Sequence, residues 1–367
     1  MEIPVQNLYH LLTYAWDQLE EAEQVNVTAE PADSLLDLLA RVLVQGTTHV
    51  LKRGLARDYV PEQELTGRLR GKLLLSESMR QQTLPTARAW CAFDELSHDV
   101  LVNRLLKSAL HHLLVAPKLA SLLRQELRAL YVRLGDVALV PVPDVRAYEQ
   151  VRLHRHTAHY GLVLSICRLV HEEMLLTQET GDHLFRDFTG NDKRMAALFE
   201  RFVRNFYRHK YQLKESIYKV QAEQLQWAVT AIGTQAQAVL PTMKTDVSLT
   251  AASEKIIIDC KFYRKALKPH YNKEKLISGN LYQLYTYVEH ARRQKPKRRV
   301  RGMLLYPVVQ QPLRLRYELT GTADWLEVAT IDLGQHWQQV EHDLLALLTW
   351  PIPVTSALTQ IASKPTT

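Results

Sequence analysis

The stretch 243–265, MKTDVSLTAASEKIIIDCKFYRK, holds two short apolar runs, each with one aspartate where a buried strand favours none. A buried carboxylate is costly unless it is paired or holds a cation. KTDVSLT and EKIIIDCK read as antiparallel strands joined by a turn in AASE, whose small and polar residues suit turns. With the turn centred between Ala252 and Ser253, the numbers of facing residues sum to 505, which sets Asp246 opposite Asp259. Cβ atoms of such a pair lie about 5 Å apart, so the two charges repel unless a cation sits between them. Lys261 follows Asp259 by two positions and shares its face. The arrangement fits a divalent metal held beside a charged substrate. The plain alternative is a solvated surface hairpin, and the run Ile256–Ile258, expected in a strand buried on both sides, weighs against it.

The chain of 367 residues is long enough for about two domains with sizeable cores. With 46% hydrophobic and 23% charged residues it has an ordinary globular composition. No segment approaches the ~18 uninterrupted apolar residues of a membrane span. MEIPVQNLYH lacks the basic start and apolar core of a signal peptide. A cytoplasmic protein with no membrane partner is expected. Cys91, Cys167 and Cys260 show no paired spacing, which supports neither a disulfide framework nor a zinc knuckle. Strand alternation turns the Cys260 side chain away from the aspartate face, as a core thiol.

The formal charge is +7, and ARRQKPKRRVR at 291–301 alone carries seven basic residues and no acid. A second basic cluster, KFYRKALKPHYNKEK, starts at Lys261. Both flank the aspartates in sequence, which favours a polyanion such as nucleic acid as substrate over a merely solvated loop. Arg292, Lys295, Lys297, Arg298 and Arg299, with Lys265 and Lys268, are the candidate phosphate contacts.

Helical periodicity marks NLYHLLTYAWDQLEE, ADSLLDLLARVLVQGTTHVLKRGL, DELSHDVLVNRLLKSALHHLLV and KLASLLRQELRALYVRL. RDYVPEQELTGRLRGKLLL reads as a hairpin whose Gly67 and Gly71 mark turns or bulges. Asp94, Glu95, Asp99, Asn103 and Arg104 either tie the third helix down or face a partner. GDVALVPVPDVRAYEQV loses the helical period, so a boundary is expected at 140–160, closing a mostly helical domain over 1–150. Then come helices in GLVLSICRLVHEEMLL and KRMAALFERFVRNFYRHKY, the aspartate hairpin, a helix in SGNLYQLYTYVEHARRQ, strands in RGMLLYPVV, PLRLRYEL and WLEVATIDL, and a closing helix in HWQQVEHDLLALLTW. This order predicts a mixed sheet covered by helices over 160–355, an α+β or α/β arrangement, with a flexible tail at 356–367. LHRHTAHYG, with His154, His156 and His159, lacks partners at metal-ligand spacing and reads as a loop.

Asp246, Asp259-Cys260-Lys261, and Gln283 with Tyr287 in QLYTY resemble the motifs of the PD-(D/E)xK nuclease superfamily, including the Gln-x-x-x-Tyr helix of its RecB-like branch. Along most of its length the chain is similar to the McrC family, in NLYHLLTYAW, KRGLARDYVPEQELTGRLRGKL, FDELSHDVLVNRLLKSAL, LPTMKTDVSL, IIIDCKFYRK, SGNLYQLYTYV and GMLLYPVV. The leading Pro-Asp of the superfamily reads Thr245-Asp246 here. The resemblance implies the nuclease subunit of a system that restricts DNA containing modified cytosine, working with a hexameric AAA+ GTPase, McrB, whose hydrolysis it stimulates. It implies a PD-(D/E)xK domain in which Asp246, Asp259 and the Cys260 carbonyl bind Mg²⁺, with Mn²⁺ as a substitute, and Lys261 serves the attacking water or the phosphate. Gln283 and Tyr287, four apart on one helix face, and Glu200 in LFERFV join the site. No GxxxxGK[ST] occurs in the chain, in keeping with GTP being bound by the partner. Two other readings stand beside this one: a non-catalytic activator that keeps the nuclease fold as scaffold, and a stand-alone RecB-like repair nuclease.

Overall fold

The computed structural model describes residues 3–22, 32, 34–140, 143–175, 188–230, 232, 234–262, 267–270, 273–308 and 312–349. Lys265 and the tail 356–367 lie outside them. The chain divides into two compact units, one of residues 8–195, the other of residues 1–7 together with 196 onward.

The first unit contains most of α1 (Val5–Trp16), then α2 (Leu35–Arg53), α3 (Leu101–Val115), α4 (Ser121–Arg133) and α5 (Gly161–Leu175). Ser34 caps α2 by accepting from the Asp37 amide at 3.1 Å. Leu38, Leu39, Val42 and Leu43 of α2 are fully buried, and each such side chain contributes about 1.5–3 kcal/mol. α5 packs on α2 and α3, which is why the division falls near residue 195 and not at 140–160: the loss of period there marks a connection within the helical unit.

A three-stranded sheet projects from the same sequence region: β1 (Asp58–Thr66), β2 (Lys72–Leu73) and β3 (Ala89–Ser97). The expected hairpin over 57–75 does not form, because β3 lies between β1 and β2 and pairs with both. Gly71 adopts φ +62°, and a β carbon there would meet the Ala92 carbonyl at 2.3 Å, so only glycine fits. β3 also corrects the helix expected from Asp94. Ala89 and Cys91 alternate into the core in a strand, leaving Asp94 and Glu95 exposed on the ribbon, and the helix starts at Leu101. Asp99, Asn103 and Arg104 tie α3 down. Asp99 takes both guanidinium contacts of Arg104 and the Ala138 amide. Buried Asn103 donates to the carbonyls of Ala56 and His98 and accepts from Tyr160.

The second unit is built on a mixed sheet. Helix α6 (Asp192–Tyr207) runs across the division. The strands are β4 (Lys219–Gln221), β5 (Gln224–Leu225), β6 (Met243–Lys244), β7 (Val247–Thr250), β8 (Glu254–Cys260), β9 (Leu267–His270), β10 (Lys273–Leu276), β11 (Arg299–Pro307), β12 (Arg314–Glu318) and β13 (Trp325–Ile331). Six of them form the sheet β12-β13-β11-β8-β7-β4, with β8, β11 and β13 mutually parallel and the others antiparallel to their neighbours. β5 pairs with β6, and β9 with β10, as separate ribbons. The crossover from β8 to β11 is α7 (Ser278–Gln294). Leu284, Tyr287, Val288 and Ala291 of α7 pack on Ile257, Val300, Leu304 and Leu326. Gly302 permits this approach, since a β carbon there would meet Val288 Cγ2 at 2.7 Å and Leu284 Cγ at 2.9 Å. On the other face Phe202 of α6 meets Trp337 of α8 (Trp337–Leu348), and the Tyr207 hydroxyl donates to the Leu344 carbonyl.

Candidate active site

The hairpin register is the one expected: Val247 faces Ile258, and Thr250 faces Lys255, each pair summing to 505. β7 begins at Val247, so Asp246 stands one residue outside the ladder, at the position facing Asp259. Its Oδ2 accepts from the Cys260 amide at 2.8 Å, locking the two strand ends together. Thr245, which precedes it, is buried and held by the Glu223 main chain and by Ser248.

Lys261 Nζ lies 2.8 Å from Asp259 Oδ2 and donates to Gln283 Oε1 at 3.0 Å. Gln283 Nε2 donates to the Tyr287 hydroxyl at 2.8 Å, and Tyr287 donates to the Lys244 carbonyl at 3.0 Å. The two α7 residues therefore form a chain of hydrogen bonds from the main chain before Asp246 to the amine of Lys261. Glu200, on α6, is bound by Arg204, whose Nη1 lies 2.8 Å from Glu200 Oε1 and 3.1 Å from the Asp246 carbonyl.

Asp259 is 1% exposed. Burial, then the charges of Asp259 and Glu200, push Asp246 up to about 7, against the pull of the Cys260 amide and Lys261. Burial raises Asp259 as well, opposed chiefly by the Lys261 charge. Burial pushes the Cys260 thiol far up, as for the core thiol expected.

The basic run is not part of this cluster. Along β11, Leu304 pairs with Asp259 but Arg299 pairs with Glu254, five residues and about 17 Å away along the strand. Arg292 is held by Glu289, residues 295–298 form a turn closed by the Arg298 amide on the Lys295 carbonyl, and Arg299 lies 5.9 Å over the Trp325 ring. Lys268 belongs to β9, and its side chain is outside the described residues.

A family described as McrBC 5-methylcytosine restriction system component matches residues 5–307. The chain belongs to the McrC family. It is 31% identical over 343 residues to the Type IV methyl-directed restriction enzyme EcoKMcrBC of Escherichia coli (strain K12), covering 94% of this chain and 96% of that protein. A solved half-complex of Thermococcus gammatolerans McrB AAA+ hexamers with bound McrC matches it with a TM-score of 0.59 at 15% identity, over 93% of this chain and 74% of that chain, which shows a shared fold.

A divalent metal in this McrC-family chain suits the donors. Among the described residues no three or more His, Cys, Asp or Glu side chains gather into a metal-binding group. Mg²⁺ commonly takes one or two carboxylates and keeps its waters, and the opposed aspartates, each disfavoured as an anion by burial and Asp246 also by its neighbours' charge, offer that set. Arg204 was not foreseen. Its only sequence signal is the four-residue spacing from Glu200, which on a helix allows an ion pair.

Proposed function

We propose that this chain is the Mg²⁺-dependent DNA endonuclease subunit of a restriction complex directed at modified cytosine, acting with a separate AAA+ GTPase. The observation that carries it is the opposed Asp246–Asp259 pair with Lys261 held beside it through Gln283 and Tyr287. Asp246, Asp259 and the Cys260 carbonyl would hold the metal, which supplies charge neutralisation at the phosphate and an acidified water. Lys261, a compact ammonium with three donors, is oriented by Gln283 and can hydrogen-bond the attacking water or a non-bridging phosphate oxygen. Lys261 also offsets part of the negative charge that the two aspartates concentrate.

Docking of the partner through the first unit is supported by its ribbon. Tyr59 and Leu96 face each other across β1 and β3, both exposed, with exposed Leu69, Leu73 and Met79 also in this region of the chain. Large apolar side chains left exposed on a ribbon suit contact with another protein. Cleavage of a duplex bearing methylated cytosine, measured with the chain, its AAA+ partner, GTP and Mg²⁺, tests the assignment. Each omission is expected to abolish cutting. If Asp259→Ala still cuts at ordinary Mg²⁺, the site is wrongly assigned; if nothing cuts but GTP hydrolysis still rises on adding the chain, the non-catalytic activator is the correct reading.

A further inference from the structure

Asp246 has the most demanding position in the site and the least support from the sheet. It lies outside the β7 ladder, yet its carboxylate must meet that of Asp259, and a catalytic constellation has to be held within about 0.5 Å of its productive geometry. The carboxylate is tied to the Cys260 amide. The main-chain carbonyl accepts from Arg204 Nη1 at 3.1 Å, and the same nitrogen lies 2.8 Å from Glu200 Oε1. Arg204 and Glu200 are one helical turn apart on α6, with side chains 20% and 33% exposed.

We infer that Arg204 is a positioning residue that clamps the main chain of Asp246, and that Glu200 is the anchor of this clamp instead of a ligand to the metal. The inference rests on the nuclease reading above. Glu200 Oε1 is committed to this charge-assisted hydrogen bond, and turning that oxygen toward a cation would loosen the guanidinium that also holds the Asp246 carbonyl. The guanidinium suits this task because the two N–H donors of Nη1 are fixed in its plane and serve both acceptors at once, whereas the donors of an ammonium turn on a flexible stem.

The test uses the full chain with its partner and three variants, Arg204→Ala, Arg204→Lys and Glu200→Gln. The readouts are the Mg²⁺ concentration for half-maximal cleavage, kcat at saturating Mg²⁺, and Mn²⁺ binding by calorimetry without DNA. Arg204→Ala is expected to raise the Mg²⁺ midpoint and weaken Mn²⁺ binding about tenfold, as loss of a supporting group does at metal sites, with kcat at saturating metal falling by less than about threefold. Arg204→Lys should recover part of the loss. Glu200→Gln should shift the midpoint less than Arg204→Ala, because the amide oxygen still accepts from the guanidinium. A shift in Glu200→Gln equal to or larger than that in Arg204→Ala would make Glu200 a ligand and overturn the inference. So would an unchanged midpoint and Mn²⁺ affinity in a folded Arg204→Ala. If Arg204→Ala does not fold, the lysine and glutamine variants decide by the same ordering. Persistent cleavage in an Asp259→Ala control would instead reveal failure of the nuclease reading, independently of the arginine.

Discussion

The six-stranded sheet carries two carboxylate clusters charged in opposite senses. At the end of the β7–β8 pair, Asp246 before β7 and Asp259 near the end of β8, with the charge of Glu200 from α6, meet the cations Lys261 and Arg204. On β13 the single carboxylate of Glu327 lies 3.0 Å from Arg314, 3.4 Å from Arg301 and 3.8 Å from Arg316. The positive excess has takers within the chain. Arg301 donates to the carbonyls of Leu347 and Leu348 and Arg314 to that of Ala346, in the last turn of α8, where orphan carbonyls and the helix dipole favour cations. The negative excess at the aspartates has no comparable internal partner among the described residues, and the raised Asp246 registers the imbalance. A structural cluster closes its own charge, whereas this one leaves a negative excess, which the divalent cation of the proposed function would offset.

Substitution separates the two most sharply. Asp259→Ala is expected to reduce cleavage to background while leaving the thermal midpoint unchanged or higher, because removing one of two opposed charges relieves repulsion. Glu327→Ala should do the reverse: losing the carboxylate strands three guanidiniums, and breaking a buried pair costs about 3–5 kcal/mol, with cleavage per folded molecule retained. Paired activity and melting measurements on both variants decide it. Equal destabilisation would make the aspartates structural.

A smaller effect is expected from pH. Asp246 rises from 3.8 to about 7 on folding, so the native chain binds the proton more tightly than the unfolded chain. The stability this confers is complete below about 4 and is lost as pH rises through about 7. Without metal the second unit should therefore melt at a lower temperature at pH 8 than at pH 5. Mg²⁺ should reverse the trend above 7, and cleavage should fall as protons displace metal below it. A melting profile indifferent to pH in wild type and Asp246→Asn alike would remove the charge deficit from the account.

The smallest effect concerns the basic end of β11. Neutralising Arg298 and Arg299 should lower the magnitude of the salt slope of duplex binding by up to about 0.9 per lost phosphate contact, without changing sequence preference or the rate at saturating DNA. An unchanged slope would take these arginines out of the DNA interface.

What was legible in the sequence follows from how local each signal is. The register of Asp246 and Asp259 was readable because a short turn fixes it, and the long helices because their apolar period is strong. The end of β3 imitates a helix start, with the acids Asp94 and Glu95 before an apolar run, while its strand character depends on pairing with β1, some thirty residues earlier. The basic run follows Tyr287 closely in sequence, but α7 continues from Tyr287 to Gln294, about 10 Å further, and the run enters β11 at the end away from Asp259. The spacing of Arg204 from Glu200 allows an ion pair, but its second target is a main-chain carbonyl, which no side-chain pattern announces.

Gly302 lies under α7, the helix that carries Gln283 and Tyr287. Adding a single methyl there would leave every charge and donor in place, yet the helix would have to ride higher on its strand, and the amide that steers Lys261 would ride with it. Under the proposed function, turnover would therefore depend on the thickness of a layer as well as on the identity of its reactive groups. A variant can lose activity through a dimension of the scaffold with its chemistry intact.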